Sequence, residues 1–160
     1  MKIKMIANNA LVAALYVGIT FLTSSFAYLG IQFRIGEILL LLVFFRKDYS
    51  VGLILGCLIA NLFSPLGVYD VVFGTLATAL SVFCISKSKN LIIASLFPVV
   101  FNGLIVGLEL YYVLELPFLI NALTVALGEL VVVTIFGTII FTILRKKKYF
   151  MELIGANNNV

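Results

Sequence analysis

The sequence predicts an all-α membrane protein, a small bundle of six transmembrane helices. Of its 160 residues, 63% are hydrophobic and only 11% are charged, where a soluble domain carries about half apolar and about a quarter charged residues. The mean hydropathy is +1.22. Long uncharged runs alternate with short basic clusters, which is how apolar spans joined by solvated loops read.

A spanning helix needs about 20 largely apolar residues, because the hydrocarbon layer is ~30 Å thick and a helix rises ~1.5 Å per residue. The first uncharged run, Met5 to Phe33, holds one helix and an exit loop at Tyr28-Leu29-Gly30. The second runs from Arg34 to Phe45 and stops at Arg46-Lys47-Asp48. At about 18 Å of helix, it is short or borrows from the preceding loop. From Tyr49 to Ser86 the only charge is Asp70, and Ser64-Pro65-Leu66-Gly67 supplies turn chemistry near the middle, so a two-helix hairpin is predicted. After Lys87-Ser88-Lys89 a fifth span runs from Asn90 to about Val113 and turns at Leu114-Glu115-Leu116-Pro117. The sixth covers Phe118 to Leu144, is interrupted only by Glu129, and ends at Arg145-Lys146-Lys147-Lys148. Residues 1–148 are thus expected to form one six-helix transmembrane domain, followed by a tail over 149–160.

Orientation follows from the bases, which collect in cytoplasmic loops. Six spans place Lys2 and Lys4, Arg46 and Lys47, Lys87 and Lys89, and Arg145 through Lys148 on one side, ten of the eleven bases. Both termini are therefore expected in the cytoplasm of a multi-pass plasma-membrane protein. One helix more or fewer would scatter the bases across both faces. Ser25-Phe26-Ala27 loosely resembles a signal cleavage site, but the apolar run is longer than the 7 to 15 residues of a signal core.

The same composition excludes several classes. A net charge of +4 does not imply nucleic acid, since the bases form no continuous face. With no His, and with Cys57 and Cys84 both inside apolar runs, zinc or haem lacks a ligand set, and each cysteine reads as small apolar filler. No phosphate-binding glycine loop, no nucleophile beside a base, and no repeat relating the two halves is present. The chain is expected to be neither an enzyme nor a self-contained rocking transporter, and to use no cofactor.

A charge at mid-bilayer costs roughly 2.5 to 3.5 kcal/mol on insertion scales and is a functional candidate by default. Arg34 and Glu37 open the second helix at its outer end, and Asp70 opens the fourth across a short turn from Asn61. Glu109 lies near the exit of the fifth, and Glu129 near mid-membrane in the sixth. Asn102 and Glu109 are two turns apart and share a face, while Gln32 sits in the first outer loop. These groups outline a polar cavity open to the outside. Four carboxylates against one guanidinium suit a ligand that is cationic or rich in hydrogen-bond donors. Tyr28, Phe33, Tyr69, Tyr111 and Tyr112 lie at the same depth, as ring-stacking candidates or as an interfacial belt. An Arg34–Glu37 pair would explain Glu37 structurally, but leaves Asp70, Glu109 and Glu129 without a cation. Gly52, Gly56 and Ala60 on the third helix, and Ala10 and Ala14 on the first, mark close helix contacts.

A small six-helix protein with an outward cavity and no energy source resembles the substrate-binding S components of energy-coupling factor (ECF) transporters. More narrowly, the chain resembles the QueT family, the S components proposed for queuosine precursors. The resemblance rests on Ala10-Leu-Val-Ala-Ala-Leu-Tyr16, Ile31-Gln-Phe-Arg-Ile-Gly-Glu37, Gly56-Cys-Leu-Ile-Ala-Asn-Leu-Phe-Ser64 and Asp70-Val-Val-Phe-Gly-Thr-Leu-Ala-Thr78, continued by Asn102 to Tyr112 and Ala126-Leu-Gly-Glu129. Gly36 departs from the Ser common at that place in the family. The resemblance implies that Ala10 and Ala14 contact an integral coupling subunit driven by two cytoplasmic ATPases, and that the protein binds ligand outside and topples to release it inside. It also implies a ligand such as queuine or an aminomethyl 7-deazaguanine. Glu109 or Glu129 would accept from its guanine-like edge, and Asn102 and Asn61 would meet the ring carbonyl and nitrogens. Asp70, Glu37 and Arg34 would line the mouth or order the first loop as a lid. Two other readings are an S component for a vitamin such as thiamine or for another base, and a proton-coupled exporter of small cations using Glu129.

Overall fold

A computed structural model describes residues 2–23 and 33–156. Among them the secondary structure is helical, with no strand. We number the helices α1 (Lys2–Leu22), α2 (Ile35–Phe45), α3 (Ser50–Asn61), α4 (Val68–Ile85), α5 (Leu91–Leu114), α6 (Phe118–Leu144) and α7 (Lys148–Ile154). Four of these, α1, α4, α5 and α6, are long and apolar enough to cross a membrane. The expectation of six such spans is met by four, because α2 and α3 are apolar but shorter. Gln32, the Tyr28-Leu29-Gly30 exit loop and Ser25-Phe26-Ala27 lie outside the described residues.

Local chemistry explains the boundaries. α2 winds as a 3-10 helix over Ile35–Leu41 before relaxing to α geometry at Leu42–Phe45. At ~2.0 Å per residue in the 3-10 part it reaches about 20 Å instead of about 16 Å. The turn between α3 and α4 falls where Ser64 and Gly67 predict it. Gly67 has φ 55°, and its N–H donates to Ser64 Oγ at 3.0 Å. α5 is capped by Asn90, whose Oδ1 accepts from the N–H groups of Ile92 at 2.8 Å and Ile93 at 3.3 Å. It ends at Glu115, left-handed at φ 56°, just before Pro117. α6 keeps its predicted limits and contains a π-helical stretch, Leu130–Gly137.

The helices pack in succession, α1 on α3, α3 on α4, α4 on α5 and α5 on α6, and α2 touches all five, bridging α1 and α6. The surface is largely apolar, while Arg34, Glu37, Asn61, Asp70, Thr78, Asn102, Glu109 and Glu129 are buried. That is the reverse of a soluble protein and suits a lipid-facing exterior. Cys57 is fully buried within the hydrophobic core, as expected, and its Sγ also borders the polar interior, 3.2 Å from Thr78 Oγ1 and 3.3 Å from Asn61 Nδ2.

The small-residue stripes serve different purposes. On α3, Gly52 lies against Asn9, whose Oδ1 accepts from the Gly52 N–H at 2.7 Å, and Gly56 lies against Ala13 and Tyr16 of α1. A Cβ at Gly52 would come 2.5 Å from the Asn9 carbonyl oxygen, so this stripe is spent on packing within the bundle. Ala10 and Ala14 are exposed.

The segment after α6 is more ordered than a tail. α7 folds back so that the Ile154 carbonyl accepts from Tyr49 Oη at 2.9 Å and from Arg46 Nη1 at 3.3 Å, while Phe150 meets Phe141 edge-on. Burial pushes the Tyr49 hydroxyl above the ordinary tyrosine range, which keeps it a donor.

Candidate ligand-binding site

The predicted polar residues inside the described segments converge at one end of the bundle. Arg34, just before α2, is 3% exposed. Its Nη2 donates to Asn61 Oδ1 at 2.5 Å and approaches Cys57 Sγ at 3.9 Å. Asn61, at the end of α3, donates from Nδ2 to the Asp70 carbonyl at 2.9 Å, binding α3 to the first turn of α4. Gly74 leaves room for this arrangement, since a Cβ there would stand 2.8 Å from Asn61 Nδ2. These bonds use both ends of the Asn61 amide in joining Arg34, α3 and α4.

The second cluster lies around α2 and α6. Glu37 is fully buried and accepts from Tyr16 Oη and, at 3.4 Å, from Thr78 Oγ1. It forms no ion pair with Arg34. The ion pairs among the described residues, Arg46–Asp48 and Lys148–Glu152, lie at the opposite end. Glu129, the last residue before the π-helical stretch, accepts at Oε1 from Asn102 Nδ2 at 3.1 Å. The tight α5–α6 seam brings these two together. A Cβ on Gly107 would fall 2.9 Å from the Ala122 Cα, and one on Gly103 would fall 3.0 Å from the Ala126 Cβ. π-helical interruptions are frequent at functional sites, and here one starts at the acid nearest the centre of α6.

A third group joins α4 and α5. Asp70 acts electrostatically on Glu109, with Asp70 4% exposed and Glu109 fully buried. Arg34 acts electrostatically on Glu37, Asp70, Glu109 and Glu129. Asp70, Glu37 and Arg34 are thus interior groups, not residues of an open mouth.

The vacancies in this network are its most informative feature. Among the described residues, the buried side-chain atoms without a hydrogen-bond partner are Thr20 Oγ1, Arg34 Nε, Glu37 Oε2, Asn102 Oδ1, both Glu109 oxygens and Glu129 Oε2. All but Thr20 belong to residues that the sequence nominates. Each such orphan costs about 1–3 kcal/mol and calls for an explanation. Five are acceptor oxygens of carboxylates or an amide, against one obligate donor and one hydroxyl. A ligand that completes them must be rich in N–H groups.

The structure brings together Arg34, Glu37, Asn61, Asp70, Asn102, Glu109 and Glu129, while Gln32 falls outside the described residues. Sequence reasoning missed Tyr16, Thr78 and Thr20. Tyr16 is fully buried, and its spacing on the Asn9, Ala13, Tyr16 face of α1 is the signal that was there to find. The aromatic candidates fare differently: Tyr69, Tyr111 and Tyr112 are exposed, Phe33 is half-buried, and Tyr28 is outside the described residues. The exposed three suit an interfacial belt and not a stacking role. Among the described residues no cluster of acids or cysteines has the arrangement of a metal site.

Comparison with known proteins places the chain in a family. The sequence profile of the family described as "QueT transporter" matches residues 6–146. The chain is 37% identical over 140 residues to the queuosine precursor transporter QueT of Lactococcus lactis subsp. cremoris, covering 78% of this chain and 82% of that protein. No solved structure matches. The match takes in every helix that carries the buried acids, and by it the chain belongs to the QueT transporter family, a family of transporters and not of enzymes.

Proposed function

We propose that the protein is the substrate-binding S component of an ECF-type importer, taking a queuosine precursor of the 7-deazaguanine class from outside the cell. The observation that carries this reading is the set of buried, unpartnered acceptor oxygens on Glu37, Asn102, Glu109 and Glu129. A 7-deazaguanine presents a ring N–H and an exocyclic amine along one edge and a pyrrole N–H elsewhere, and carboxylates accept such paired donors well. Its carbonyl oxygen would take the remaining donor capacity of Arg34 or Asn102. The name of the Lactococcus relative supports the same ligand class.

In this reading the protein is multi-pass. α1 to α6 cross the membrane as six spans, and α2 and α3 are short because they flank the polar interior. Both termini and α7 lie in the cytoplasm, in keeping with the segregation of ten of the eleven bases. Residues 1–148 form the binding domain. Ala10 and Ala14 stand on an exposed face of α1, which leaves them available to an integral coupling subunit driven by two cytoplasmic ATPases.

The test is transport in proteoliposomes. The chain alone should bind an aminomethyl 7-deazaguanine without accumulating it, and accumulation should require the coupling subunit, the ATPases and ATP. Accumulation by the chain alone under a pH gradient would overturn the reading and favour Glu129 as a proton carrier.

A further inference from the structure

The vacant acceptors do not form one uniform lining. On the α5–α6 seam, the hydrogen bond from Asn102 Nδ2 to Glu129 Oε1 at 3.1 Å fixes both side chains and leaves one free oxygen on each, Asn102 Oδ1 and Glu129 Oε2. Two acceptors held by one internal bond, on helices locked by Gly103 and Gly107 against Ala126 and Ala122, are pre-organised for neighbouring N–H donors on a flat edge. Two turns further along α5 the chemistry changes. Glu109 is fully buried with both oxygens vacant, and the buried Asp70 acts on it as a second negative group. The nearby guanidinium is held through Nη2 by Asn61 and makes no close ion pair with either acid. Paired carboxylates in a dry site are costly unless a cation joins them. Two vacant oxygens on Glu109, with the Asp70 carboxylate acting on them, match the N–H groups of a primary ammonium better than they match a planar edge.

We propose that the site is divided into two subsites: Glu129 with Asn102 reads the hydrogen-bonding edge of the base, and Glu109 with Asp70 holds a primary ammonium carried by the ligand. Seven residues of helix separate Asn102 from Glu109 by about 10 Å along the axis. That is the scale of a bicyclic base with a one-carbon amine arm and a hydrogen bond beyond it. The division rests on the proposed 7-deazaguanine reading and sharpens it, since it makes the protein selective for the aminated precursor over an uncharged analogue.

The test compares two probes on purified full-length protein in detergent, a 7-aminomethyl-7-deazaguanine and its 7-hydroxymethyl counterpart, by calorimetric titration. The wild type should prefer the amine by about tenfold or more, the scale of a charge-assisted contact. Glu109→Gln and, independently, Asp70→Asn should bring that ratio toward one. Glu129→Gln should weaken both probes by similar factors and keep the ratio. Either of the first two variants carries the expectation if the other does not fold. Equal affinities in the wild type overturn the division and leave the 7-deazaguanine reading standing. So does a ratio that survives Glu109→Gln and Asp70→Asn but collapses in Glu129→Gln. Binding of neither probe overturns both.

Discussion

Arg34 and Glu109 are opposite cases of a buried charge. The Arg34 guanidinium is hydrogen-bonded to Asn61 and is the positive group nearest the buried carboxylates without forming a close ion pair, so Arg34→Met would leave the Asn61 amide oxygen unpartnered and remove that field. Losing a buried hydrogen bond to a charged group costs about 1.5–3 kcal/mol, and a drop in the thermal unfolding temperature of the purified protein is expected. Glu109 has vacant oxygens and an acidic neighbour. Glu109→Gln should therefore raise the unfolding temperature without ligand while shrinking the shift that ligand produces, a trade of function for stability. A lower temperature without ligand would show that Glu109 is structurally paired. These acids were legible in the sequence because charge is scarce in an apolar chain and each one needs a reason. The hydroxyls that serve them were not. Tyr16 and Thr78 are ordinary residues for an apolar helix, and only the fold reveals that they meet Glu37. Asn61 was legible as polar and buried but not as a brace, because its partners are a distant arginine and a backbone carbonyl.

Among the elements, the α5–α6 seam sets the geometry of the site. Gly107→Val would drive a branched side chain into Ala122, whose Cα lies 2.9 Å from an added Cβ. Overpacking of this kind costs about 1–3 kcal/mol, and it would also part Asn102 from Glu129, so ligand affinity should fall together with stability. Asn90→Ala is the control at the other end of α5. It removes a cap that accepts two N–H groups, should cost about 1 kcal/mol, and should leave affinity unchanged in the same titration. The limits of α6 could be read from composition alone, since nothing but Glu129 interrupts Phe118 to Leu144. The 3-10 winding of α2 and the docking of α7 could not. The second depends on Tyr49 and Arg46 reaching a carbonyl more than a hundred positions away. Tyr49→Phe should release α7, seen as faster proteolysis after Lys146 and Lys147 with ligand binding intact.

Among the described residues α1, α3, α4, α5 and α6 pack in succession around α2 with acids inside and apolar side chains outside, and of the two small-residue stripes Gly52 and Gly56 pack within the bundle while Ala10 and Ala14 are exposed. Ala14→Trp alters an exposed position, so folding and ligand binding should persist while co-purification with the coupling subunit and ATPases is lost. Gly52→Leu meets the backbone of Asn9 and should prevent folding outright. If Ala14→Trp also abolished ligand binding, that face would belong to the fold and not to a partner. The proposed completion of the buried acceptors by a donor-rich base needs no help from an ATPase. Equilibrium titration of the purified chain alone with an aminomethyl 7-deazaguanine, wild type against Glu129→Gln, tests it most directly. Saturable binding near one ligand per chain, weakened about tenfold or more in the variant, is the predicted result; no saturable binding, or equal affinity in the two proteins, would contradict it.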